Sequence, residues 1–204
     1  MDIELNYQVT ERTTVKASAI AFFDQHTQLW SERYSDPANG RSLQERRTAI
    51  LELIRESGPS KEFRFLDLGC GTGLLSLDIA SLGFKGIGID GAPSMVDYCR
   101  KRAELEGFSK LWRYETADVE KTPLQDFSVD FVICCGVIEY LPDDKELFRE
   151  VKRVLRPGGR FLLCVTNKYS YSGCLAPLFQ FNTQYPECDA YDTKASTERL
   201  LIQT

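Results

Sequence analysis

The 204-residue sequence lacks long apolar runs and has a single histidine. No stretch approaches the roughly 20 consecutive apolar residues that a membrane-spanning helix needs. The N-terminal stretch MDIELNYQVTERTT contains no apolar segment of the kind that a secretory signal carries, so we expect a cytoplasmic protein. The histidine, His26, lies in an N-terminal segment with helical spacing, and a packing role there is favoured over catalysis.

Basic residues are also fewer than acidic residues. The sequence contains 25 lysine and arginine residues against 30 aspartate and glutamate residues, for a net charge of −5. Affinity for nucleic acid depends mostly on neutralising phosphates, so an acidic chain is poorly suited to it. A local basic cluster of Lys152, Arg153 and Arg156 has the pattern of a solvated helix face. We therefore expect no nucleic-acid partner.

The seven cysteines include no C-x-x-C pair, and their number is odd. This pattern supports neither a zinc site nor a disulfide framework, so we expect no metal. Cys134, Cys135 and Cys164 lie in strand-like apolar runs, where a thiol behaves as a small buried apolar group. We expect these thiols to be reduced and packed in the core.

Residues 1–60 are predicted to form an N-terminal helical arm or lid. Apolar residues between Thr14 and Tyr34 have the loose spacing of one or two helices, and the breaker SDPANG follows them. Ser42 and Glu45 then form a capping box, which predicts the start of another helix. The pair Gly58-Pro59 ends that helix.

From residue 61 to residue 166, strands and helices alternate strictly. The predicted strands are Phe63–Leu68, Gly86–Asp90, Leu111–Ala117, Val129–Cys135 and Arg160–Thr166. Helices are predicted to begin at Leu74, at Pro93 and at the Asp143/Glu146 cap. Such alternation indicates right-handed crossovers and a parallel sheet with helices on both faces. Ligands bind outside the carboxyl ends of the strands in this fold.

A glycine-rich turn, FLDLGCGTG at residues 65–73, follows the first predicted strand. Leu74 departs from the dinucleotide-binding pattern, and the Gly-Lys-Ser/Thr of a phosphate-binding loop is missing. Asp90, at the end of the second strand, is placed to accept hydrogen bonds from both hydroxyls of a ribose. Asp67 would repel a pyrophosphate but attract a cation. This acidic turn therefore suits S-adenosylmethionine, which carries a ribose, an ammonium and a sulfonium but no phosphate.

Four motifs, in order, resemble those of class I S-adenosylmethionine-dependent methyltransferases: FLDLGCGTG, GIGIDGAPSMV, ETADVEKTPLQDFSVDFVICCGVIEYL and RVLRPGGRFLL. The likeness covers about residues 60–166 and is greatest to the small-molecule branch that includes the ubiquinone-biosynthesis enzymes. It implies an α/β, doubly wound, Rossmann-like parallel sheet of strand order 3-2-1-4-5, with residues 61–166 as the cofactor-binding core. The implied reaction is in-line methyl transfer from S-adenosylmethionine to a small-molecule acceptor, with S-adenosylhomocysteine as product.

The resemblance also implies a set of cofactor-binding residues. The glycines are expected to line the methionine and ribose portion, with Asp67 nearby, and Asp90 to hold the ribose diol. Asp118 and the Val119 amide are expected at the adenine, with capping of the following turn as the less favoured alternative for Asp118. A backbone carbonyl of Cys134 or Cys135 is expected to hold the methionine ammonium. The full set is Asp67, Gly69, Cys70, Gly71, Gly73, Asp90, Gly91, Met95, Asp118, Val119, Cys134 and Cys135, with core filling as the alternative for Met95.

Catalytic residues are harder to assign. A general base is needed only if the acceptor must lose a proton. Glu139, just past the fourth strand, is a candidate base, with a structural or capping role as the alternative; where relatives often have Glu-His, this chain has Tyr140 in place of the histidine. Tyr34 is a second candidate, because Phe22, Phe23, Trp30 and Tyr34 resemble the aromatic lid of small-molecule methyltransferases.

Two alternative functions were weighed. An enzyme that methylates base amino groups usually shows Asn/Asp-Pro-Pro-Tyr after the fourth strand, whereas this chain has Cys-Cys-Gly-Val. Cys134 or Cys135 as an attacking nucleophile is disfavoured because no neighbouring proline or base supports it. The remaining alternative is a non-catalytic protein that binds S-adenosylmethionine or a partner.

Residues 167–204 contain no convincing strand, and they end in the helix-like sequence TERLLIQT. We expect a substrate-side segment that is truncated, with the last two strands of the fold missing. The fifth strand would then be a sheet edge open to self-association, unless the tail or a partner covers it. Asn167, Lys168 and Tyr169 are expected at the acceptor, and the segment around Tyr171, Leu178 and Phe179 is expected to be a substrate lid or a hydrophobic contact surface.

Overall fold

A computed structural model describes residues 15–35, 41–166 and 197–203. The helices are α1 over residues 15–25, α2 at Thr27–Ser35, α3 at Arg41–Glu56, α4 at Leu74–Ser81, α5 at Pro93–Leu105 and α6 at Lys145–Val154. The strands are β1 at Arg64–Leu68, β2 at Lys85–Asp90, β3 at Trp112–Thr116, β4 at Val129–Cys135, β5 at Leu155–Thr166 and β6 at Thr197–Gln203. A 3-10 turn at Ile138–Tyr140 follows β4.

The first five strands form a parallel sheet in the order β3-β2-β1-β4-β5. This confirms the predicted doubly wound fold and its strand order. The chain starts in the middle of the sheet with β1, winds outward to β3 and then crosses to β4 on the other side of β1. The turn after β1 therefore lies where the winding direction reverses, which is the usual ligand site of such sheets.

The prediction for the C-terminal segment was wrong at residues 197–203. These residues form β6, which pairs antiparallel with β5 from Arg160 opposite Gln203 to Thr166 opposite Thr197. The consecutive apolar residues Leu200, Leu201 and Ile202 do not distinguish helix from strand by periodicity. The backbone amides and carbonyls at the edge of β5 form hydrogen bonds with this segment, and this pairing favours a strand over a helix. As a result β5 is covered and is not a bare edge. The premise of the predicted self-association through that edge is thereby removed.

Alternating strand residues divide the core between the two faces of the sheet. On one face Phe65 stacks on Phe131 with ring centroids 5.0 Å apart, and helices α3, α4 and α5 cover them. On the other face α6 packs its Leu147 and Val151 against Leu66 and neighbouring strand residues. Burial on both faces explains why β4 is almost continuously apolar. The sheet is thus a rigid platform whose carboxyl edge carries the loops.

The predicted helix signals are met in part. Pro93 opens α5, as expected of a residue whose missing N–H is not needed in the first turn. At α6 the carboxylate of Asp143 accepts a hydrogen bond from the Lys145 amide at 2.9 Å, while Asp144 occupies the cap position itself. The Ser42 side chain lies outside the described part of the structure, so its capping box stays a prediction.

The cysteines of the described segments are free thiols, and Cys134 and Cys164 are buried in the core as expected. Cys174 and Cys188 lie outside the described residues, as do Asn167, Lys168, Tyr169, Tyr171, Leu178 and Phe179. Among the helices that the structure describes, none combines the length and the apolar character that crossing a bilayer requires.

Candidate functional site

An open cavity of about 770 Å³, including its mouth, lies at the carboxyl edge of the sheet. The floor is made by the turns after β1, β2, β3 and β4, and the roof is made by α1. Many of the predicted cofactor residues line this cavity: Gly69, Gly71, Asp90, Gly91, Met95, Asp118, Val119 and Cys135.

The glycine turn after β1 is held close to the end of β2. The amides of Gly69 and Cys70 both donate to the carbonyl of Ile89, at 2.7 and 3.1 Å. Gly69 has φ +70°, and a Cβ at this position would overlap the Val137 side chain. Gly73 begins α4 with φ +75° but does not line the cavity, and its missing Cβ makes room for Cys99. The turn thus needs glycine at Gly69 both for its backbone angle and for the close approach of the β4 loop.

Asp90 ends β2 and faces the glycine turn. Its Oδ2 accepts a hydrogen bond from the Gly71 amide at 2.8 Å, and its Oδ1 accepts one from the Ala92 amide at 2.9 Å. Burial raises the pKa of Asp90, while the hydrogen bonds from the Ala92, Gly71 and Gly91 amides oppose that effect. Backbone donors therefore orient the carboxylate, whose remaining lone pairs are available to a pair of hydroxyls.

Asp67 lies beneath the glycine turn and does not line the cavity. Its side chain is 3% exposed. Burial raises its pKa to about 7, the nearby negative charge of Asp90 adds to the rise, and a hydrogen bond with Ser76 opposes it. The buried carboxylate of Asp67 and the partly buried carboxylate of Asp90 are therefore close enough to interact. A cationic ligand nearby would relieve their repulsion.

Asp118 follows β3, and its Oδ1 accepts a hydrogen bond from the Glu120 amide at 2.9 Å. This is the turn-capping role that the sequence left as an alternative. The same oxygen is 2.5 Å from the Nζ of Lys16, which also forms an ion pair with Glu120. Burial lowers the pKa of Lys16, but the hydrogen bonds with the two carboxylates outweigh it and raise the pKa. A lysine of α1 thus reaches the edge of the cavity where the adenine is expected.

The end of β4 separates the two cysteines. Cys135 lines the cavity together with Gly136, whereas the Cys134 side chain is fully buried on the α6 face of the sheet. Cys70 is also buried away from the cavity, beside Cys99. The hydrogen bond with Cys99 and burial raise the pKa of the Cys70 thiol, and burial raises the pKa of the Cys134 thiol. Both thiols therefore stay protonated. Neither thiol has the exposure or the low pKa of a reactive nucleophile.

The far end of the cavity is aromatic and aliphatic. Phe23, Tyr34, Val137, Tyr140 and Leu141 line it, and Phe23 packs edge-on against Tyr140 with ring centroids 5.3 Å apart. Burial, followed by the nearby Cys135, raises the pKa of Tyr34 to about 12. The Tyr34 hydroxyl is therefore a hydrogen-bond donor and not a base near neutral pH.

Glu139 and two residues of the predicted aromatic lid, Phe22 and Trp30, do not line the cavity. Glu139 lies in the 3-10 turn after β4, on the side of Arg46. His26 stacks on Phe22 with centroids 4.4 Å apart, and Trp30 packs between Phe23 and Tyr34. Packing contacts of this kind match the role expected for His26. A catalytic role for Glu139 stays a prediction.

Sequence reasoning predicted an N-terminal lid and included Phe23 in it, but it missed Lys16, Ala19 and Ile20 on the face of α1 that roofs the cavity. Lys16, Ala19, Ile20 and Phe23 line it. Their spacing of three, one and three residues is typical of a single helix face. This spacing is the signal in the sequence that could have predicted the face. Ile20 packs on Gly91, where an added Cβ would lie 2.8 Å from the Ile20 Cδ1. Arg46 was missed as well, and its NH1 lies 3.9 Å from the Cys135 Sγ.

Comparison with known proteins agrees with this geometry. Residues 66–163 match the family described as "Methyltransferase domain". The sterol 4-C-methyltransferase strm-1 of Caenorhabditis elegans is 34% identical over 113 residues, which cover 54% of this chain and 34% of that protein. A ubiquinone biosynthesis O-methyltransferase of Xanthomonas euvesicatoria pv. vesicatoria is 34% identical over 113 residues, covering 55% of this chain and 47% of that protein.

Among solved structures, a SAM-dependent methyltransferase from Methanosarcina mazei superposes with a TM-score of 0.53 at 27% identity, covering 57% of this chain and 58% of that one. The chain spans less than half the length of the two curated relatives. The order of strands, the glycine turn beside Asp90 and these likenesses agree with one another. The sheet therefore has the Rossmann-like methyltransferase fold, and residues 66–163 are similar in sequence to a methyltransferase domain.

Proposed function

We propose that this chain binds S-adenosylmethionine in the cavity and transfers its methyl group to a small-molecule acceptor. The observation that carries the proposal is the convergence of Gly69, Gly71, Asp90 and Asp118 on one cavity at the switch point of the sheet. These residues come from three different loops, and packing of a core alone does not require polar groups of three loops to meet there.

The charges around the cavity fit this cofactor. Asp90 presents an oriented carboxylate for the ribose hydroxyls, and Asp118 lies where an adenine amino group would be bound. Asp67 adds negative charge beneath the glycine turn, which favours the sulfonium and the ammonium. A phosphate in the same place would face these carboxylates at short range. The acidic character therefore favours S-adenosylmethionine over a dinucleotide.

The protein would contribute positioning and exclusion of water, since the activated methyl group is supplied by the bound cofactor. The glycine turn and Asp90 would hold the nucleoside in place. The wall of Phe23, Tyr34, Val137 and Tyr140 would keep water away from the acceptor and hold it in line with the methyl group. Because Tyr34 stays protonated, its hydroxyl would orient an acceptor oxygen or nitrogen without removing a proton.

The apolar wall also supports a small organic acceptor. The two relatives, a sterol methyltransferase and a ubiquinone biosynthesis O-methyltransferase, are by name enzymes that act on small organic molecules. By analogy we expect an acceptor with an apolar or aromatic body here. We further propose that Glu139 has a structural role, because it does not line the cavity.

Calorimetric titration with S-adenosylhomocysteine tests the cofactor assignment. We expect the wild-type chain to bind it, and Asp90→Ala to bind it roughly 30-fold or more weakly, since hydrogen bonds to a charged acceptor contribute about 1.5–3 kcal/mol each. Asp97→Asn, an exposed carboxylate of α5, is the matched control and should bind normally. Titration with NAD should give no heat. Equal binding of S-adenosylhomocysteine by wild type and Asp90→Ala would contradict the assignment.

A non-catalytic cofactor-binding protein is the alternative, because a fold by itself does not specify a reaction. Binding experiments do not separate the two. Turnover with a panel of phenolic, sterol-like and amine acceptors does, when transfer of a labelled methyl group is measured. Binding of the cofactor with no transfer to any acceptor of the panel, under conditions where a known methyltransferase is active, would favour the alternative.

A further inference from the structure

Helix α1 is joined to the cofactor cavity by polar contacts near both of its ends. Near its N-terminus, Lys16 forms ion pairs with Asp118 and Glu120 in the turn after β3. Near its C-terminus, Asp24 accepts a hydrogen bond from the Ser94 amide at 2.7 Å. Between them Ile20 packs on Gly91. One helix therefore spans the mouth of the cavity from the turn after β3 to the turn after β2.

The contact of Asp24 with Ser94 replaces a missing helix cap. Helix α5 begins at Pro93, and its cap residue Ala92 has no side chain that could satisfy the first free amides. The Asp24 carboxylate from α1 supplies that acceptor. A carboxylate is also favoured there by the positive end of the helix dipole. The start of α5 lies directly after Asp90, so α1 is fixed next to the residue proposed to bind the ribose.

The contact of Lys16 is equally close to the proposed adenine site. Its ammonium is largely covered, with 18% of the side chain exposed, and the Glu120 side chain is 12% exposed. The Asp118 carboxylate that pairs with Lys16 is the group proposed to accept from the adenine. Lys16 therefore orients the adenine-binding carboxylate and anchors α1 with the same ion pair.

We propose that Lys16 and Asp24 are positioning residues that latch α1 over bound adenosine, so that retention of the cofactor and closure of α1 are coupled. This inference rests on the proposed function. The ends of α1 are attached to the two loops that would hold the ribose and the adenine, and Ile20 covers the space between them. Ordering of those loops by adenosine would strengthen both attachments, and loss of either attachment would weaken retention of the ligand.

The test is titration of the full chain with S-adenosylhomocysteine, using variants that separate charge from size. Lys16→Met removes the charge and should weaken binding about fivefold, as expected for two partly exposed ion pairs. Lys16→Arg keeps the charge and should stay within about twofold of wild type. Lys152→Met, an exposed lysine of α6, is the matched control and should have no effect. Raising the salt concentration should reduce the difference in affinity for S-adenosylhomocysteine between wild type and Lys16→Met.

Asp24 provides an independent arm. Asp24→Ala removes the acceptor of the Ser94 amide and should also weaken binding, by about fivefold, whereas Asp24→Asn keeps an acceptor and should retain most of the affinity. If both residues hold one lid, the double variant Lys16→Met/Asp24→Ala should lose less affinity than the product of the two single losses. Hydrogen exchange of residues 15–25 should slow on binding in wild type and much less so in Lys16→Met.

Three results would be decisive. Tight binding by wild type together with unchanged affinity in both Lys16→Met and Asp24→Ala would overturn the latch while leaving the proposed function intact. Weaker binding by Lys16→Met with unchanged exchange of residues 15–25 would show a local charge effect and would also overturn it. Absence of binding by wild type would refute the proposed function and, with it, the latch.

Discussion

The buried carboxylate of Asp67 makes a prediction about stability that its position under the glycine turn allows us to quantify. Its pKa of about 7 in the folded protein compares with about 3.9 in an unfolded chain. Between these two values the folded state binds a proton that the unfolded state has released. The contribution of Asp67 to the stability of the ligand-free protein therefore falls as the pH rises from about 4 to about 7.

The size of the effect follows from the same two values. From about pH 5 to about pH 7 the unfolded carboxylate is ionised while the folded one is still largely protonated, and each of these roughly two pH units corresponds to about 1.4 kcal/mol. Above about pH 7 both states are ionised, and the contribution levels off by about pH 8. The contribution of Asp67 to stability should therefore fall by on the order of 3 kcal/mol over this range. Asp67→Asn, which is neutral at every pH and nearly the same shape as the protonated acid, removes this contribution. The free energy of unfolding of the variant, relative to that of wild type, should therefore rise by about 3 kcal/mol from about pH 5 to about pH 8.

Urea unfolding followed by circular dichroism at four pH values between those limits would measure the difference. Asp97→Asn, whose side chain is 63% exposed, is the control and should give a difference from wild type that does not change with pH. If the difference in free energy of unfolding between wild type and Asp67→Asn stayed constant with pH within about 0.5 kcal/mol, the reasoning would be refuted. Asp67 would then ionise alike in the folded and unfolded states. Saturating S-adenosylhomocysteine should flatten the wild-type curve, since a bound ammonium favours the carboxylate.

Two further predictions concern the cavity. Gly69→Ala should destabilise the protein by at least about 2 kcal/mol and abolish binding of S-adenosylhomocysteine, because the new Cβ would overlap Val137 and the backbone angle is positive. Gly107→Ala has a similar angle but open space, so a loss of only about 1 kcal/mol in thermal unfolding is expected, and equal losses would contradict the steric argument. Tyr34→Phe should lower turnover without changing its pH profile between about pH 7 and about pH 9, since the hydroxyl stays protonated there; a lost basic limb would show that Tyr34 titrates.

Local patterns were sufficient for most of the fold. The apolar run of β4, the glycine turn before α4 and the proline at the start of α5 each act within a few residues, so their effect can be inferred without a partner. The strand order followed from the motifs, which resemble one family in one arrangement. Strand β6 could not be predicted in this way, because its short apolar run becomes a strand only when the edge of β5 lies beside it.

The candidate site likewise contains residues that local sequence patterns predict and residues that depend on tertiary packing. Gly69, Gly71 and Asp90 could be proposed from spacing, because a turn after a strand and a carboxylate at the next strand end must meet in a parallel sheet. The roof of the cavity depends on how α1 lies across the sheet. The ion pair of Lys16 with Asp118 joins residues 102 positions apart, and the cap that Asp24 gives to Ser94 spans 70. Contacts at such separations leave no periodic trace in the chain, so only the packed structure determines which charges meet over the cavity.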